Sequence, residues 1–346
     1  MSLSKRFTIR DTACDSLIEL LSRTTLGTNG ARYRHLDTRN RVLEADNPLF
    51  LSLEKDGKVQ GNVTFCKRGP RWYVRYFAFS GQKQAAKSGN QGPKTSSNSR
   101  LKQEVADFYD DVFDGKYGEA PDAFYAFIDP NNERSKWMAE HFGFRIEAQL
   151  ITQTFSRTKP KANANVRIIT NQEQINFCLN EIQNTHAYFV DDHSSTPIFY
   201  GFFDENEELI GFTKITKANW VIERLPGTLG GFFTKLIRFT PGIRRIIKPN
   251  NHQFIVPEAV WVKQHNPQVL SQLFEGILEK ENRNMLLWWI DRRETLWRDT
   301  RSRVHWGLVH RMTSQPQIDV VVLRKNPLKL DELRSKPIFV SGWDMV

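Results

Sequence analysis

The chain has 346 residues, enough for two ordinary domains that each bury a core, and its 39% hydrophobic and 25% charged residues are typical of a globular protein. The apolar runs are short enough to be strands and the N-terminus lacks a signal-peptide pattern, so we expect a cytoplasmic protein without membrane partners. The formal net charge of +10 suits nucleic acid, an acidic membrane surface or an anionic small molecule, and does not decide among them.

The first half of the sequence opens with a predicted hairpin. Residues 50 to 65, FLSLEKDGKVQGNVTF, read as two strands joined by a polar turn at residues 55 to 57. Residues 71 to 80, RWYVRYFAFS, are rich in aromatic and β-branched side chains and predict a third strand. A loop of Gly, Ser, Lys and Gln then leads to residues 100 to 113, where apolar side chains recur near helical spacing. The pattern therefore predicts a hairpin, a strand and a helix in that order.

Residues 125 to 144, YAFIDPNNERSKWMAEHFGF, predict a strand followed by a second helix with a defined start and end. Asp129 or Asn132 can cap this helix, because either side chain can accept a hydrogen bond from its first amides. Gly143 can take the left-handed conformation that ends a helix. We therefore expect the helix to lie between Asn132 and Gly143.

The second half of the sequence repeats the hairpin of the first. Residues 200 to 215, YGFFDENEELIGFTKI, read as two strands with a polar turn between them. Superposing this segment on the first hairpin places Gly211 on Gly61 and Leu209 on Val59. Such a match at corresponding positions indicates an internal repeat of one structural unit.

The remaining elements of the second half follow the order of the first. Residues 258 to 263 read as a strand, and residues 267 to 282 as a helix opened by a proline, which the first turn of a helix tolerates. WID at residues 289 to 291 then corresponds to FID at residues 127 to 129. Each half therefore reads strand, hairpin, strand, helix, strand, helix, strand.

Residues 156 to 169, SRTKPKANANVRII, are the natural boundary between the halves, because they are rich in Lys, Ala and Asn and contain a proline. We predict one domain at residues 1 to 157 and another at residues 166 to 346. The predicted fold class is α/β (α+β), with two tandem domains related by a pseudo-twofold axis. Each is expected to have a mixed, mostly antiparallel sheet flanked by helices.

This order, with Asn132 at the start of a helix and Gly143 and Phe144 at its end, resembles the GNAT superfamily of acyl-CoA N-acyltransferases, as a tandem two-domain member. The resemblance covers most of both halves. It implies an acetyltransferase or related acyltransferase that moves an acyl group from acetyl-CoA or another acyl-CoA to an amine of unknown identity. In that family the Asn lies near the pantetheine and pyrophosphate of the donor. In tandem members one half commonly binds the donor and the other shapes the acceptor site.

The family holds the pyrophosphate in a glycine-containing loop between its fourth strand and third helix. The corresponding region of the first half contains Lys87, Gly89, Gly92 and Lys94, without the family's spacing. Backbone amides flanked by lysines can hold phosphates, and a surface loop without a ligand is the alternative. The second half has KQHNPQ at this place, with no glycine. We therefore expect the acyl-CoA in the first half, on these four residues and Asn132.

Acyl transfer to an amine needs a base for the ammonium proton and amides that hold the thioester oxygen. Family members often draw the base from a carboxylate on or near the fourth strand. That strand has no carboxylate in the first half, whereas Glu258 starts it in the second, so Glu258 is the predicted catalytic base. A solvated carboxylate at a strand edge is the alternative. Because the loop and the carboxylate lie in different halves, this prediction requires a two-domain site.

Two other functions stay open. A ligand-binding protein that keeps the fold without catalysis would account for the first-half strand without a carboxylate, and for Ala139, which stands where many family members have a Tyr as general acid. An aminoacyl- or transfer-RNA-dependent transferase would account for the positive charge, although no RNA-binding motif supports a nucleic-acid partner.

His186 and His193, together with Asp191 and Asp192, form a polar cluster in the sequence that suits an acceptor, a metal ion or a surface loop. The three cysteines are odd in number and far apart, which argues against a disulfide framework and for a reducing compartment. None of them has the spacing of metal ligands, so no metal site is predicted.

Overall fold

The computed structural model describes residues 6–27, 31–80, 100–190, 197–225, 230–240, 242–313, 315–328 and 332–346. Its strands are β1 (Phe7–Arg10), β2 (Arg32–His35), β3 (Pro48–Lys55), β4 (Lys58–Arg68), β5 (Arg71–Phe79), β6 (Ala123–Ile128), β7 (Arg145–Ser156), β8 (Val166–Ile168), β9 (Ile198–Phe203), β10 (Leu209–Arg224), β11 (His252–Val262), β12 (Met285–Asp291) and β13 (Gln317–Arg324). Its helices are α1 (Asp15–Arg23), α2 (Thr38–Leu43), α3 (Arg100–Phe113), α4 (Glu133–His141), α5 (Gln172–Thr185), α6 (Gly230–Leu236), α7 (Ile243–Ile246), α8 (Pro267–Lys280), α9 (Thr295–Thr300), α10 (Leu308–Met312) and α11 (Gly342–Met345), with single 3-10 turns at Ile237–Phe239, Lys263–His265 and Glu332–Arg334. Within these ranges no helix has the length and apolar character needed to cross a bilayer.

The chain forms two compact units, and each contains segments from two parts of the sequence. Unit 1 consists of Met1–Glu147 and Asp319–Leu330. Unit 2 consists of Ala148–Ile318 and Asp331–Val346. The boundary expected at residues 156 to 169 therefore lies inside unit 2.

Unit 1 is built on a sheet with the strand order β1-β3-β4-β5-β6-β13. β5 and β6 run parallel, and the other neighbours are antiparallel. One face of the sheet packs against α3 through aromatic side chains. The ring of Phe124 lies 5.7 Å from that of Phe65, 5.8 Å from Trp72 and 4.9 Å from Tyr109, measured between centroids. These contacts fix α3 on the sheet beside β6.

Unit 2 has a sheet with the order β7-β12-β11-β10-β9-β8. Here β11 and β12 are the parallel pair, as β5 and β6 are in unit 1. The core lies under α8, whose apolar face of Leu270, Leu273, Phe274 and Ile277 is completely buried. Each unit therefore has the mixed, mostly antiparallel sheet flanked by helices that the sequence predicted.

Several local predictions are confirmed residue by residue. α3 spans Arg100–Phe113, as its apolar spacing indicated. The first hairpin turns at Asp56 and Gly57, which both have positive φ, of 50° and 71°. Gly143 has a φ of 83°, the left-handed conformation expected at the end of α4. β11 is longer than predicted, because Pro257 lies inside the strand, next to a β-bulge, and not before its start.

The last strand of each half of the sequence pairs with a strand of the other half. β7, from the first half, pairs antiparallel with β12, from Leu150 opposite Asp291 to Ser156 opposite Met285. β13, from the second half, pairs antiparallel with β6 along the whole length of β6. The predicted elements occur in the predicted order, but the pairing is not local to each half. The domain limits at residues 1 to 157 and 166 to 346 stay a prediction.

A buried histidine in unit 2 makes the stability of that unit depend on pH. His252 is 1% exposed and stacks on Phe254 with 5.4 Å between ring centroids. Neither of its ring nitrogens has a hydrogen-bond partner among the described residues. Burial, and then the charge of Lys248, lowers the pKa of His252 to about 4.

The sign of the effect follows from the two pKa values of His252. The unfolded chain takes up the proton near the ordinary value of 6.5 and the folded chain near 4, so stability is complete above pH 6.5 and is lost as the pH falls toward 4. Between pH 7.5 and pH 5 we expect this residue to cost about 2 kcal/mol. His252→Phe should remove that part of the pH dependence of urea unfolding. His141→Gln, at an exposed histidine of α4, is the control, and a His252→Phe variant with the wild-type pH dependence would contradict the prediction.

Candidate active site

A gap between two parallel strands is the first feature of the candidate site in unit 1. β5 and β6 pair at three positions, the last being Tyr73 opposite Tyr125. β5 then continues to Phe79 and β6 to Ile128, with no further described pair between them. The described ladder between β5 and β6 therefore ends at Tyr73 and Tyr125, before either strand ends.

A β-bulge on β5 lies beside this gap. Asn62 of β4 is opposite Ala78, whereas Thr64 is opposite Arg75, so β5 contains one more residue than β4 over this stretch. Tyr76, inside the bulge, has a φ of 52°. A bulky residue in the left-handed region is unfavourable and persists only where its surroundings hold it.

Buried polar side chains hold the bulge of unit 1 in place. The amide nitrogen of Asn62 donates to Thr64 Oγ1 at 2.8 Å and approaches the carbonyl oxygen of Tyr76 at 3.4 Å. Ser52 Oγ donates to the side-chain oxygen of Asn62 at 3.1 Å. Because all three polar side chains are buried and mutually bonded, this chain of hydrogen bonds makes the bulge a fixed part of the fold.

The bulge also carries a buried positive charge. Arg75 is 7% exposed, and its guanidinium donates to the hydroxyl of Tyr76 at 2.6 Å. Burial, and then the charges of Arg75 and Arg41, lowers the pKa of the nearby His35 to about 3. His35 is therefore neutral at physiological pH. Arg75 and Arg41 thus place positive charge beside the bulge.

Unit 2 repeats the gap and the bulge. β11 and β12 pair in parallel at Ile255 and Leu286. Farther along β11, Glu258 lies opposite Lys214 of β10, and Trp261 lies opposite Phe212. β11 therefore contains one more residue than β10 over this stretch, as β5 does relative to β4 in unit 1. This register confirms the sequence superposition of Gly211 on Gly61. Gly61 pairs with Phe79 and Gly211 with Val262, and each partner is the fourth residue after the one that starts the bulge.

The residue that starts the bulge differs between the units: it is Arg75 in unit 1 and Glu258 in unit 2. The next residue, Tyr76 or Ala259, has a positive φ in both, of 52° and 49°. The repeated backbone therefore presents opposite charges at equivalent positions. A bulge is seen only when two paired strands are compared, and the alternation of side chains along one strand does not reveal it. Arg75 was therefore not among the site residues predicted from the sequence.

Glu258 is buried and not a solvated residue of a strand edge. Its side chain accepts hydrogen bonds from Thr216 Oγ1 at 3.0 Å and from the backbone amide of Gly342 at 2.9 Å, through different carboxylate oxygens. Lys214 Nζ lies 3.7 Å from the oxygen that Thr216 contacts. The residue is 2% exposed. The alternative of a solvated carboxylate is therefore wrong, and Glu258 has a structural role whatever its part in a reaction.

Glu258 is one of three carboxylates that fasten residues 332 to 346, which we call the strap, to the rest of unit 2. Asp291 accepts from the backbone amide of Ile338 at 3.0 Å, as Glu258 does from Gly342. Glu332, in the strap itself, accepts from the amide of Tyr188 at 3.1 Å. The carboxylates of Glu258 and Asp291 thus bind backbone amides of the strap, which the sequence did not predict.

Lys87, Gly89, Gly92 and Lys94 lie outside the described residues, between β5 and α3. The same holds for His193, Asp191 and Asp192 of the polar cluster. His186, which is described, has its Nε2 atom 2.6 Å from a carboxylate oxygen of Glu294. In the described part of the chain no three His, Cys, Asp or Glu residues are grouped as metal ligands, and the three cysteines are free thiols.

Asn132 caps α4, because its side-chain oxygen accepts from the backbone amide of Ser135 at 3.1 Å. We expect Asn132→Ala to cost about 1 kcal/mol of stability, and Asn132→Ser to keep most of the cap. If Asn132 also touches the donor, as the resemblance implies, both variants should bind acyl-CoA more weakly. Thermal unfolding and calorimetric titration separate the two roles. Wild-type affinity in Asn132→Ser would leave Asn132 with the role of a cap alone.

Comparison with known proteins identifies the fold. No family model and no curated protein matches the chain at the sequence level. Among solved structures it is similar to Saccharomyces cerevisiae N-myristoyltransferase with bound myristoyl-CoA, at a TM-score of 0.55 and 10% identity, over 99% of this chain and 90% of that one. It is also similar to a tandem GNAT protein from the clavulanic acid biosynthesis pathway, at a TM-score of 0.51 and 10% identity, over 93% of this chain and 100% of that one.

A putative acetyltransferase from Pyrococcus horikoshii matches with a TM-score of 0.51 and 10% identity, over 99% of this chain and 96% of that one. The chain therefore has a tandem GNAT fold, as the order of its elements predicted. The gap between parallel strands and the neighbouring bulge occur in both units of this fold. At a sequence identity of 10% these comparisons establish the fold alone. The reaction is therefore argued from the residues of this chain.

Proposed function

We propose that the protein is an acyl-CoA-dependent N-acyltransferase whose donor binds in the gap between β5 and β6 of unit 1. The observation that carries this proposal is the parallel pair that ends at Tyr73 and Tyr125 beside a fixed bulge. A pantetheine chain carries amides that can bond to backbone groups of the two strands beyond their last ladder pair. The buried Arg75 gives this region the positive charge that an anionic donor needs.

The chemistry requires few groups. The amine nitrogen attacks the thioester carbonyl, a C–N bond forms, the C–S bond breaks, and the CoA thiolate takes up the proton that the attacking nitrogen loses. A base must first take a proton from the ammonium, and donors must hold the carbonyl oxygen as negative charge develops. Backbone amides at a bulge are such donors, since their positions are fixed before the reaction. We propose that the bulge of β5 supplies them.

The acyl group is acetyl or another acyl chain, and the amine acceptor is left to experiment. Calorimetric titration with acetyl-CoA, myristoyl-CoA and CoA tests the donor site, and hydrogen exchange tests its location. We expect acyl-CoA to protect amides of β5 beyond Tyr73 and of the loop with Lys87, Gly89, Gly92 and Lys94. Binding that protects unit 2 instead would show that the donor site is wrongly placed, and no binding at all would exclude the function.

Glu258 stays our candidate for the base, and its hydrogen bonds allow a sharp test. Glu258→Gln keeps the shape of the side chain but cannot take a proton, so turnover should fall by about 10²-fold or more with little change in acyl-CoA affinity. Thr216→Val is the matched control, because it removes one hydrogen bond to the same carboxylate and leaves its charge. An unchanged rate in Glu258→Gln, or an equal loss in Thr216→Val, would exclude Glu258 as the base.

A ligand-binding protein without catalysis is the second candidate. Ala139 is buried in α4 and offers no hydroxyl, and Glu258 already has partners on both of its oxygens. The two candidates differ in one measurement. Acyl-CoA binding with no product across a broad panel of amines would favour the binding protein, whereas turnover of any amine would favour the enzyme.

A further inference from the structure

An insertion distinguishes the β10–β11 hairpin from its counterpart in unit 1. In unit 1 the equivalent strands, β4 and β5, are joined by Gly69 and Pro70 alone. In unit 2, β10 ends at Arg224 and β11 begins at His252, so residues 225 to 251 separate them. Since the same sheet is made with a two-residue turn in unit 1, the fold does not need this insertion. A long connection of this kind in a compact domain commonly serves a function.

The inner side of the insertion is fixed to unit 2. Ile237 and Ile246 are buried. The backbone amide of Leu225 donates to Thr234 Oγ1 at 2.9 Å, and that of Ile222 donates to the carbonyl oxygen of Pro249 at 2.7 Å. The bond to Pro249 ties the C-terminal end of the insertion to β10, and the bond to Thr234 ties α6 to the residue that follows β10.

The outer side exposes two aromatic rings. Phe232 in α6 is 61% exposed, and Phe239 in the following 3-10 turn is 72% exposed. The two are seven residues apart in the sequence, and α6 leads directly into the 3-10 turn. Two large apolar side chains exposed together on one short segment mark an interaction surface more often than a solvated one.

The insertion is also strongly basic. From Arg224 to Pro257 the sequence contains no Asp or Glu. Arg244 and Arg245 of α7 and Lys248 after it are exposed. Exposed phenylalanines next to exposed cations, without acidic residues, are typical of segments that lie in the interface of an anionic bilayer.

We propose that the described part of the insertion, residues 230–240 and 242–251, docks the protein on anionic lipid membranes, with Phe232 and Phe239 in the headgroup region and Arg244, Arg245 and Lys248 at the anionic headgroups. Lipid is favoured over RNA because residues 230 to 248 contain no Ser, Asn, Gln or Tyr to bond to bases or sugars. The site goes beyond the proposed transfer reaction and does not depend on it. The expectation of a protein without membrane partners stays a prediction, and this proposal is the alternative to it.

Flotation of the full-length protein with phosphatidylcholine vesicles, with and without about one third phosphatidylserine, tests this surface. We expect binding to the anionic vesicles and little to the neutral ones. The double variant Phe232→Ser with Phe239→Ser should reduce the bound-to-free ratio by about tenfold or more. The double variant Arg244→Glu with Arg245→Glu should do so as well.

Leu328→Ser and Arg298→Glu are the controls, since Leu328 is 88% exposed and Arg298 is an exposed arginine outside the insertion. Both should bind like the wild type. Circular dichroism checks that each variant is folded. If the double phenylalanine variant is not folded, the single variant Phe239→Ser replaces it in the flotation experiment. Equal binding to neutral and anionic vesicles, no binding to either, or an equal loss in the controls would overturn the proposal. RNA binding that depends on the same residues, without vesicle binding, would also overturn it.

Discussion

Residues 1 to 157, produced alone, are expected not to fold. This fragment lacks β13, which pairs with the whole of β6. Val320, Val321 and Val322 of β13 are buried. Burying one valine stabilises by about 1.5–3 kcal/mol, so losing three removes an amount comparable with the whole stability of a domain, about 5–15 kcal/mol. Far-UV circular dichroism and the dispersion of amide resonances measure the outcome.

The matched control restores the missing strand. Residues 1 to 146, joined through a flexible Gly/Ser linker to residues 317 to 328, contain β13 and omit most of β7, which belongs to unit 2. We expect this chain to fold. If residues 1 to 157 folded with a native spectrum and the joined chain did not, the strand exchange would be unnecessary for unit 1, and the domain limits expected from the sequence would be correct.

Glu258→Ala is expected to destabilise unit 2 by about 3–5 kcal/mol, the usual cost of breaking a buried, hydrogen-bonded ion pair by removing one partner. The variant removes the carboxylate that Thr216, the Gly342 amide and Lys214 surround. It therefore also loosens the strap at Gly342. Urea unfolding followed by tryptophan fluorescence measures the effect, because most of the tryptophans lie in unit 2.

Two milder variants grade this effect. Thr216→Val removes one hydrogen bond and should cost about 1 kcal/mol. Glu258→Gln keeps an acceptor and should fall between Thr216→Val and Glu258→Ala. If Glu258→Ala lowered the free energy of unfolding no more than Thr216→Val does, the carboxylate would contribute little to holding the strap. Its role would then be the catalytic one proposed above.

The local elements of the fold were predictable because short-range physics determines them. The apolar spacing of residues 100 to 113 defines α3 whatever packs on it, and Gly143 ends α4 because a left-handed residue is needed there. The tandem GNAT fold followed from the order of these elements in two halves. Of the candidate site, the cap at Asn132 and the position of Glu258 at the fourth strand of unit 2 were visible in the sequence.

Non-local features were not predictable from one sequence. The pattern of β13 shows that it is a buried strand, but nothing in it specifies β6 as the partner. The bulges at Arg75 and Glu258 arise from a mismatch between two strands, which neither strand shows alone. The burial of Glu258 depends on the strap, whose residues are more than 70 positions away along the chain.

The strand exchange has a consequence for the protein while it is being made. Unit 1 contains the N-terminus, yet it is incomplete until Asp319–Leu330 has been synthesised. About 170 further residues separate the two segments, which at about 5–20 residues per second corresponds to about 10–30 s of translation. During that time the edge of β6 has no partner from its own unit, and an open edge invites pairing with other chains. The nascent chain therefore has a defined interval in which a chaperone would protect it most, and this interval ends when β13 leaves the ribosome.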